Sequence, residues 1–230
     1  MIEWGSVRAL TFDCYGTLVD WETGIVRDLR RGLAPPREVE AEEWLRLYAE
    51  AEAEIESGGF RKYRDVLREA QARVAAKVGA RVVDRDALPN GLGSWPPFPD
   101  TLAALERLGK RFRLCITSNV DRDLFAATER ALGVRFDEVV TADQVRAYKP
   151  DPALVREALS RLGLGPDDVV HVAQSLYHDI GMAQGLGLRA VWVDRRGGRP
   201  GGATRGVDAA APDLRVGSLA ELATVVERSA

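Results

Sequence analysis

Residues 7–20 read VRALTFDCYGTLVD, and the change of character within this stretch decides the fold. Residues 7–12 form a short apolar run, which is typical of a strand buried on both faces. The run ends at Asp13, and a polar turn that contains Gly16 and Thr17 follows it. An aspartate in this place can be a helix cap or a turn residue. It can also be a functional carboxylate, because sites in open parallel sheets lie at the carboxyl ends of the strands.

The stretch after this first strand has a helical pattern. Apolar residues recur every three or four positions over 39–57 and again over 60–78, which predicts two amphipathic helices. Gly58 and Gly59 lie between them and mark a turn. An antiparallel helix pair is therefore expected here.

Residues 88–99, LPNGLGSWPPFP, are rich in Pro and Gly and are interpreted as a linker rather than a helix. We therefore expect a helical insert over 21–94 between the two parts of an α/β core, 1–20 and 95–230. After the linker, helical stretches alternate with predicted strands over 113–117, 138–141, 169–173 and 189–193. Such alternation predicts right-handed βαβ units and a buried parallel sheet. A Gly-rich run over 197–202 is interpreted as a surface loop.

Composition and charge narrow the function classes. The chain has 230 residues, of which 46% are hydrophobic and 29% are charged, and its formal net charge is −3. This balance predicts an ordinary globular protein and argues against general binding to nucleic acid or anionic membranes, although a small anionic substrate remains possible. Cys14 and Cys115 lie in apolar runs and are expected to be buried, reduced thiols. No signal peptide or membrane span is visible in the sequence, so a cytoplasmic location is expected.

Four polar positions after the predicted strands could carry chemistry together with Asp13. A carboxylate nucleophile needs a nearby cation, which Lys149 can supply. The Gly16-Thr17 turn offers backbone N–H groups and a hydroxyl, and Ser118 and Asn119 offer short donors for an anionic substrate. Taken singly, Ser118 and Asn119 could cap the following helix, and Lys149 could be a solvated surface residue.

Four ordered segments resemble the motifs of the haloacid dehalogenase superfamily: Phe-Asp-Cys-Tyr-Gly-Thr-Leu over 12–18, Thr-Ser-Asn over 117–119, Tyr-Lys-Pro-Asp over 148–151, and the strand and polar loop of 171–179. The resemblance implies a Rossmann-like parallel-sheet core with a helical cap inserted after the first strand. It also implies a hydrolase that forms a covalent ester on Asp13.

Tyr15 distinguishes two branches of this superfamily. Members that resemble magnesium-dependent phosphatases carry an Asp in this position as an acid and base, and tyrosine, with a pKa of roughly 10, cannot replace it near neutral pH. The sequence instead resembles type II 2-haloacid dehalogenases, which implies no metal and no other cofactor. A phosphatase of a small phosphoester, with Mg²⁺ as its cofactor, is kept as the alternative, and a non-enzymatic binding protein as a third hypothesis.

The dehalogenase resemblance implies a role for each matching residue. Asp13 attacks the carbon that bears the halogen, and Lys149 and Asp179 position and activate the water that hydrolyses the ester. Ser118 binds the substrate carboxylate, and Asn119 binds the departing halide. Thr17 belongs to the catalytic set, and Tyr15 to the substrate-binding set.

Other positions depart from the family pattern or match it only by spacing. Gln174, Leu176 and Val155 stand where the family has Ser, Asn and Tyr, which puts the water-activating arrangement in question. The cap arginine of the family is expected at Arg46, with Arg61 or Arg64 as alternatives. We expect Gln174 and His178 to contact the substrate, with His178 as an alternative water base. His171 is interpreted as a core histidine. Apolar cap faces leave a homodimer open.

Overall fold

The computed structural model describes residues 2–198 and 211–229. Within them the strands are β1 (Ala9–Phe12), β2 (Leu33–Ala34), β3 (Arg81–Val82), β4 (Arg113–Ser118), β5 (Glu138–Thr141), β6 (Val169–Ala173), β7 (Arg189–Val193) and β8 (Leu214–Val216). The α-helices are α1 (Trp21–Gly32), α2 (Ala41–Glu56), α3 (Tyr63–Val78), α4 (Ala87–Gly91), α5 (Thr101–Leu108), α6 (Arg122–Leu132), α7 (Ala142–Val145), α8 (Ala153–Leu162), α9 (Gly181–Gly185) and α10 (Leu219–Arg228). Most of the predicted Gly-rich loop over 197–202 lies outside the described residues.

Six described strands form one parallel sheet in the order β5-β4-β1-β6-β7-β8. The first strand is central: Phe12 is paired with Ile116 of β4 on one side and with Val172 of β6 on the other. The predicted Rossmann-like α/β core is thereby confirmed. Because β4 and β5 lie on one side of β1 and β6 to β8 on the other, the strand order reverses beside β1. The residue that follows Phe12 is therefore at the place where open α/β sheets bind ligands.

The segment between β1 and α5 contains four of the helices. In α2 and α3 the buried side chains recur at helical spacing, and the two helices pack against each other. The last turn of α3 ends at Gly79, whose φ of 68° is accessible to glycine at little cost. The division into a core of 1–20 and 95–230 and a helical cap of 21–94 agrees with this arrangement and stays a prediction.

The prediction that residues 88–99 form a linker without helix was wrong in part. This stretch contains the end of α4 and a 3₁₀ turn over Leu92–Ser94, so the chain continues as short helices up to Trp95. Pro89 is the third residue of α4, where the first-turn N–H groups have no partner within the helix. A proline is tolerated there for that reason. None of the described helices is both long and apolar enough to cross a bilayer.

Trp95 joins this segment to α1. Its side chain is 3% exposed, and its indole Nε1 donates a 2.7 Å hydrogen bond to Asp28 Oδ2, which fixes the ring. Gly24 of α1 lies directly against that ring, since a Cβ at this position would be only 2.2 Å from Trp95 Cγ. The absence of a side chain at Gly24 therefore allows the close packing.

We expect Gly24→Ala to lower the free energy of unfolding by about 1–3 kcal/mol, as overpacking does. This loss would occur although alanine is the better helix former by about 1 kcal/mol. Gly185→Ala is the control, because a Cβ at that helical position meets nothing within 4 Å. Urea denaturation of both variants measures the difference. Equal stability of the two would contradict the packing of Gly24 on Trp95.

Candidate active site

A cavity of about 100 Å³ lies between the carboxyl end of the sheet and the helical insert. The sheet side contributes Asp13, Tyr15, Ser118, Asn119, Lys149, Gln174, His178 and Asp179. The insert side contributes Trp21, Glu22, Tyr48, Glu52, Glu56 and Tyr63. Eight of the sequence-predicted site residues therefore meet in one cavity, at the end of the sheet where they were expected.

Asp13 follows β1 directly, and both of its carboxylate oxygens are bound. Lys149 Nζ donates to Oδ1 at 2.8 Å, and Thr17 Oγ1 donates to Oδ2 at 2.7 Å. The turn that brings Thr17 back onto Asp13 passes through Gly16 at φ 99°, a conformation that favours glycine. Burial raises the pKa of the Asp13 carboxyl, and the Lys149 ammonium opposes that effect. Thr17 thus contacts the carboxylate and lies behind it rather than in the lining of the cavity.

Lys149 is the centre of the charged network. Its side chain is 2% exposed, and Nζ donates to Asp13 at 2.8 Å, to Asp179 Oδ1 at 2.7 Å and to the Thr117 carbonyl at 3.1 Å. Burial acts against its charge, but the two carboxylates raise the pKa of Lys149 well above its usual value. The ammonium is therefore charged throughout the neutral range, and it keeps Asp13 available as an anion.

Asn119 holds the backbone of that lysine. Its Oδ1 accepts a 2.7 Å hydrogen bond from Lys149 N, and its Nδ2 donates to Lys149 O at 3.3 Å. The side chain also lines the cavity. The structure thus assigns Asn119 a positioning contact that the sequence did not indicate.

A buried chain of hydrogen bonds continues from Lys149 into the sheet. Asp179 Oδ1 also contacts His171 Nε2 at 3.1 Å, and His171 Nδ1 contacts Thr11 Oγ1 at 2.9 Å. Burial would raise the pKa of Asp179, but Lys149 and His171 hold it well below the usual range. His171 is fully buried in β6, as interpreted from the sequence, yet it also orients a carboxylate of the site. Its position two residues before the end of an apolar strand gave no signal of that contact.

The remaining predicted contacts differ in how they are held. The Tyr15 hydroxyl and Thr128 Oγ1 are 2.7 Å apart, and the Tyr15 ring packs edge-on against Trp95. Ser118 Oγ is buried and has no hydrogen-bond partner in the described protein. His178 lies in a π-helical turn over Leu176–Ile180, and its N–H donates to the Ser175 hydroxyl at 3.0 Å.

Arg46, which was expected to contact the substrate, does not line the cavity in this structure. Its guanidinium is 59% exposed and pairs with Glu50 at 2.7 Å, outside the cavity. The two alternatives lie outside as well, since Arg61 pairs with Glu69 and Arg64 with Asp123. Among the residues that the structure describes, Lys149 is therefore the only lysine or arginine that lines the cavity.

The insert supplies acidic and aromatic residues instead. Tyr48, Glu52 and Glu56 recur at four-residue intervals on α2, and Tyr63 begins α3. Glu52 accepts hydrogen bonds from the Tyr48 hydroxyl at 2.7 Å and from the Tyr63 hydroxyl. The sequence contains this spacing, but amphipathic periodicity alone predicts that glutamates lie on the solvent face of a helix.

The residues of the site do not fit a magnesium ion. A Mg²⁺ site needs several oxygen ligands free to coordinate it. Here the Lys149 ammonium lies between the carboxylates of Asp13 and Asp179, and Tyr15 stands where a phosphatase would have a further carboxylate. Nor do the described side chains include any group of three His, Cys, Asp or Glu that could bind one metal ion.

The fold and the site place the protein among hydrolases that have a Rossmann-like core and an aspartate after the first strand. The chain belongs to the haloacid dehalogenase-like hydrolase family, whose model matches residues 7–187. The (S)-2-haloacid dehalogenase 4A of Burkholderia cepacia is 29% identical over 205 residues, which cover 85% of this chain and 86% of that protein. The phosphoserine phosphatase of Thermus thermophilus is 35% identical over 133 residues, covering 56% of this chain and 50% of that one.

A solved structure resembles nearly the whole chain. The crystal structure of a dehalogenase matches with a TM-score of 0.81 and 26% identity, over 96% of this chain and 97% of that one. The family resemblance predicted from the four sequence motifs is confirmed by these matches.

Proposed function

We propose that this protein hydrolyses the carbon–halogen bond of small 2-haloacids through a covalent ester on Asp13. The observation that carries the proposal is the buried Asp13–Lys149 pair at 2.8 Å in a cavity whose donor set does not suit Mg²⁺. The (S)-2-haloacid dehalogenases that the chain resembles over most of its length support it.

The reaction needs no acid for the leaving group. A carboxylate oxygen of Asp13 attacks the carbon that bears the halogen, a C–O bond forms, and the halide leaves with the electrons of the C–X bond. Halide is a weak base and departs without a proton. Lys149 keeps the nucleophile ionised, and Thr17 orients it through the other oxygen. Ser118, with its unpartnered hydroxyl, is assigned to the substrate carboxylate, and Asn119 to the halide.

Water then hydrolyses the ester. It attacks the Asp13 carbonyl carbon, and the bond between this carbon and the ester oxygen breaks. One proton of the water passes to that oxygen, so the 2-hydroxyacid leaves and the aspartate is regenerated. Asp179 is the base that we assign to this water, because it lines the cavity and is fixed by Lys149 and His171. His178 is the second candidate base, and Gln174 can orient the water with its amide, since both line the cavity.

Free halide release in the presence of EDTA tests the proposal, with L-2-chloropropionate and fluoroacetate as substrates. Halide formed at an EDTA-insensitive rate is expected. No halide, together with Mg²⁺-dependent phosphate release from a small phosphoester, would replace the proposal by the phosphatase alternative. If neither halide nor phosphate is released, the result would favour a protein that binds ligands without turnover.

Ser118→Ala provides a separate test of substrate binding. We expect KM for the haloacid to rise by roughly tenfold or more, the effect of losing a hydrogen bond to a charged group, of about 1.5–3 kcal/mol. The free energy of unfolding should stay equal or increase, because the Ser118 hydroxyl bonds to no described protein atom. Steady-state kinetics and urea denaturation measure the two quantities. An unchanged KM would remove Ser118 from the binding site.

The cytoplasmic location, the absence of nucleic-acid partners and the homodimer stay predictions. Cys14 and Cys115 are both buried and unbonded to each other, as the sequence led us to expect.

A further inference from the structure

The insert side of the cavity carries two carboxylates and two phenol rings, which we call the acid–aromatic wall: Tyr48, Glu52, Glu56 and Tyr63. The two tyrosine hydroxyls donate to Glu52. No donor to the Glu56 carboxylate occurs among the described residues, although this side chain faces the same cavity. The wall therefore offers the Glu56 carboxylate as a hydrogen-bond acceptor to a ligand that binds in the cavity.

No cation of the described residues forms an ion pair with the wall; Lys149 lowers the pKa of Glu56, but burial and Glu52 have the larger, opposite effects. Lys149 is already shared by Asp13 and Asp179, and Glu22, the other acidic residue of the insert side, pairs with Arg196 at 2.6 Å. Burial raises the pKa of Glu52, and burial together with Glu52 raises that of Glu56 well above its usual value. A partly buried carboxylate without a partner is unfavourable, and a bound cation would offset that cost.

The aromatic side chains favour a particular kind of cation. The rings of Trp21 and Tyr48 lie with their centroids 6.2 Å apart at the cavity, beside Tyr63. Aromatic faces attract ammonium groups, most strongly where water is excluded. Carboxylates and ring faces together form an environment that suits an organic ammonium ion.

The sheet side of the same cavity presents the opposite chemistry. Ser118 is only 1% exposed, and its hydroxyl has no hydrogen-bond partner in the described protein. This hydroxyl can donate a hydrogen bond, so it suits an anionic group of the ligand. The cavity thus has a donor side and an acceptor side, which is complementary to a dipolar molecule and unfavourable for one that is only anionic.

We propose that the natural substrate carries an ammonium group that binds the acid–aromatic wall, in addition to the carboxylate that Ser118 receives. The inference rests on the proposed function and specifies its substrate class: a short haloacid with an amino substituent. The cavity of about 100 Å³ restricts the chain length. A protein cavity of about 150 Å³ holds benzene, so a chain of a few carbons is the size that fits.

Binding of unreactive probes tests this without any turnover. Calorimetry on the wild-type protein would compare 3-aminopropionate with butyrate, 4-aminobutyrate with pentanoate, and 5-aminopentanoate with hexanoate. Each pair differs by an ammonium in place of a methyl group of similar size. We expect the amino ligand of at least one pair to bind about tenfold tighter or more, which corresponds to about 1.4 kcal/mol. Equal or tighter binding of the methyl ligand in all three pairs would overturn the inference.

Two glutamine variants locate the effect. Glu56→Gln should fold, because its carboxylate makes no hydrogen bond within the described protein, and should abolish the preference for the amino ligand. Glu50→Gln on the same helix is the control, since Glu50 pairs with Arg46 on the surface, and should keep the preference. A preference that survives in Glu56→Gln would place the ammonium elsewhere and overturn the assignment.

The two proposals fail differently. Halide release from chloropropionate without any preference for amino probes would refute the proposed ammonium site at the acid–aromatic wall and would leave the proposed dehalogenation intact. A preference for amino probes that Glu56→Gln removes, with no halide released from any haloacid, would refute dehalogenation and leave the ammonium site standing.

Discussion

Asp13→Asn is expected to abolish halide release, with a fall in kcat of about 10⁵-fold or more, the scale seen when a covalent nucleophile is removed. The amide is close in size to the carboxylate but is neutral and far less nucleophilic. Lys149 would keep its contact with Asp179, so the fold should persist. The measurement is halide release, with thermal unfolding as the check on the fold. Asp167→Asn, an exposed surface substitution, should leave the rate unchanged. Retained activity in Asp13→Asn would refute the covalent mechanism.

An isotope experiment separates this mechanism from direct attack by water. In a single turnover with enzyme in excess in H₂¹⁸O, the hydroxyl oxygen of the product should come from Asp13 and stay unlabelled. The label should enter the Asp13 carboxylate, because water attacks its carbonyl carbon. Labelled product in the first turnover would mean that water displaces the halide directly and that Asp13 acts as a base.

The sheet was largely predictable because its strands are buried on both faces. Continuous apolar runs gave the bounds of β5, β6 and β7 as they occur in the structure. The strand β8 was missed, since Leu214–Val216 is three residues long and has an arginine at its centre. This strand forms because it pairs with Val191 to Val193 of β7, a contact that its own short sequence does not indicate. Local pattern is thus sufficient for the strands of four or more residues in this sheet, the edge strand β5 included, and insufficient for the three-residue strand β8.

The sheet side of the site was predictable for a related reason. Asp13, Ser118 and Asp179 belong to strand ends or the turns directly after them, so the strand fixes where they lie. The insert side of the site was not predictable from the sequence, because the packing of a helix decides which of its faces lines the cavity. Arg46 and Glu52 are six residues apart on α2, which separates them by about 120° around the helix. The packing of α2 turns Glu52 inward and leaves Arg46 on the surface.

Lys149→Met is expected to lower kcat by about 10²–10³-fold or more at neutral pH, the cost of removing one preorganised electrostatic partner. Without the ammonium, Asp13 and Asp179 are buried carboxylates near each other, so the pKa of the pair rises and Asp13 takes up a proton. The residual rate should therefore increase with pH between about 5 and 9, where the usual carboxyl pKa of about 4 predicts no change. A flat, near-wild-type profile would refute the role of Lys149.

The free energy of unfolding should also depend on pH because of the charge of Lys149. In the wild type Lys149 holds the pKa of Asp179 low, so this contribution is present above the unfolded pKa of about 3.9 and is lost as pH falls through the folded value. In Lys149→Met the carboxyl pKa values are raised instead, and stability is lost as pH rises through them. The difference in unfolding free energy should thus grow from pH 4 to pH 8 and reach about 3–5 kcal/mol, the cost of breaking a buried pair. Lys110→Met, an exposed lysine, is the control and should show no such trend in urea denaturation at each pH. A difference independent of pH would mean that Lys149 contributes through packing rather than through its charge.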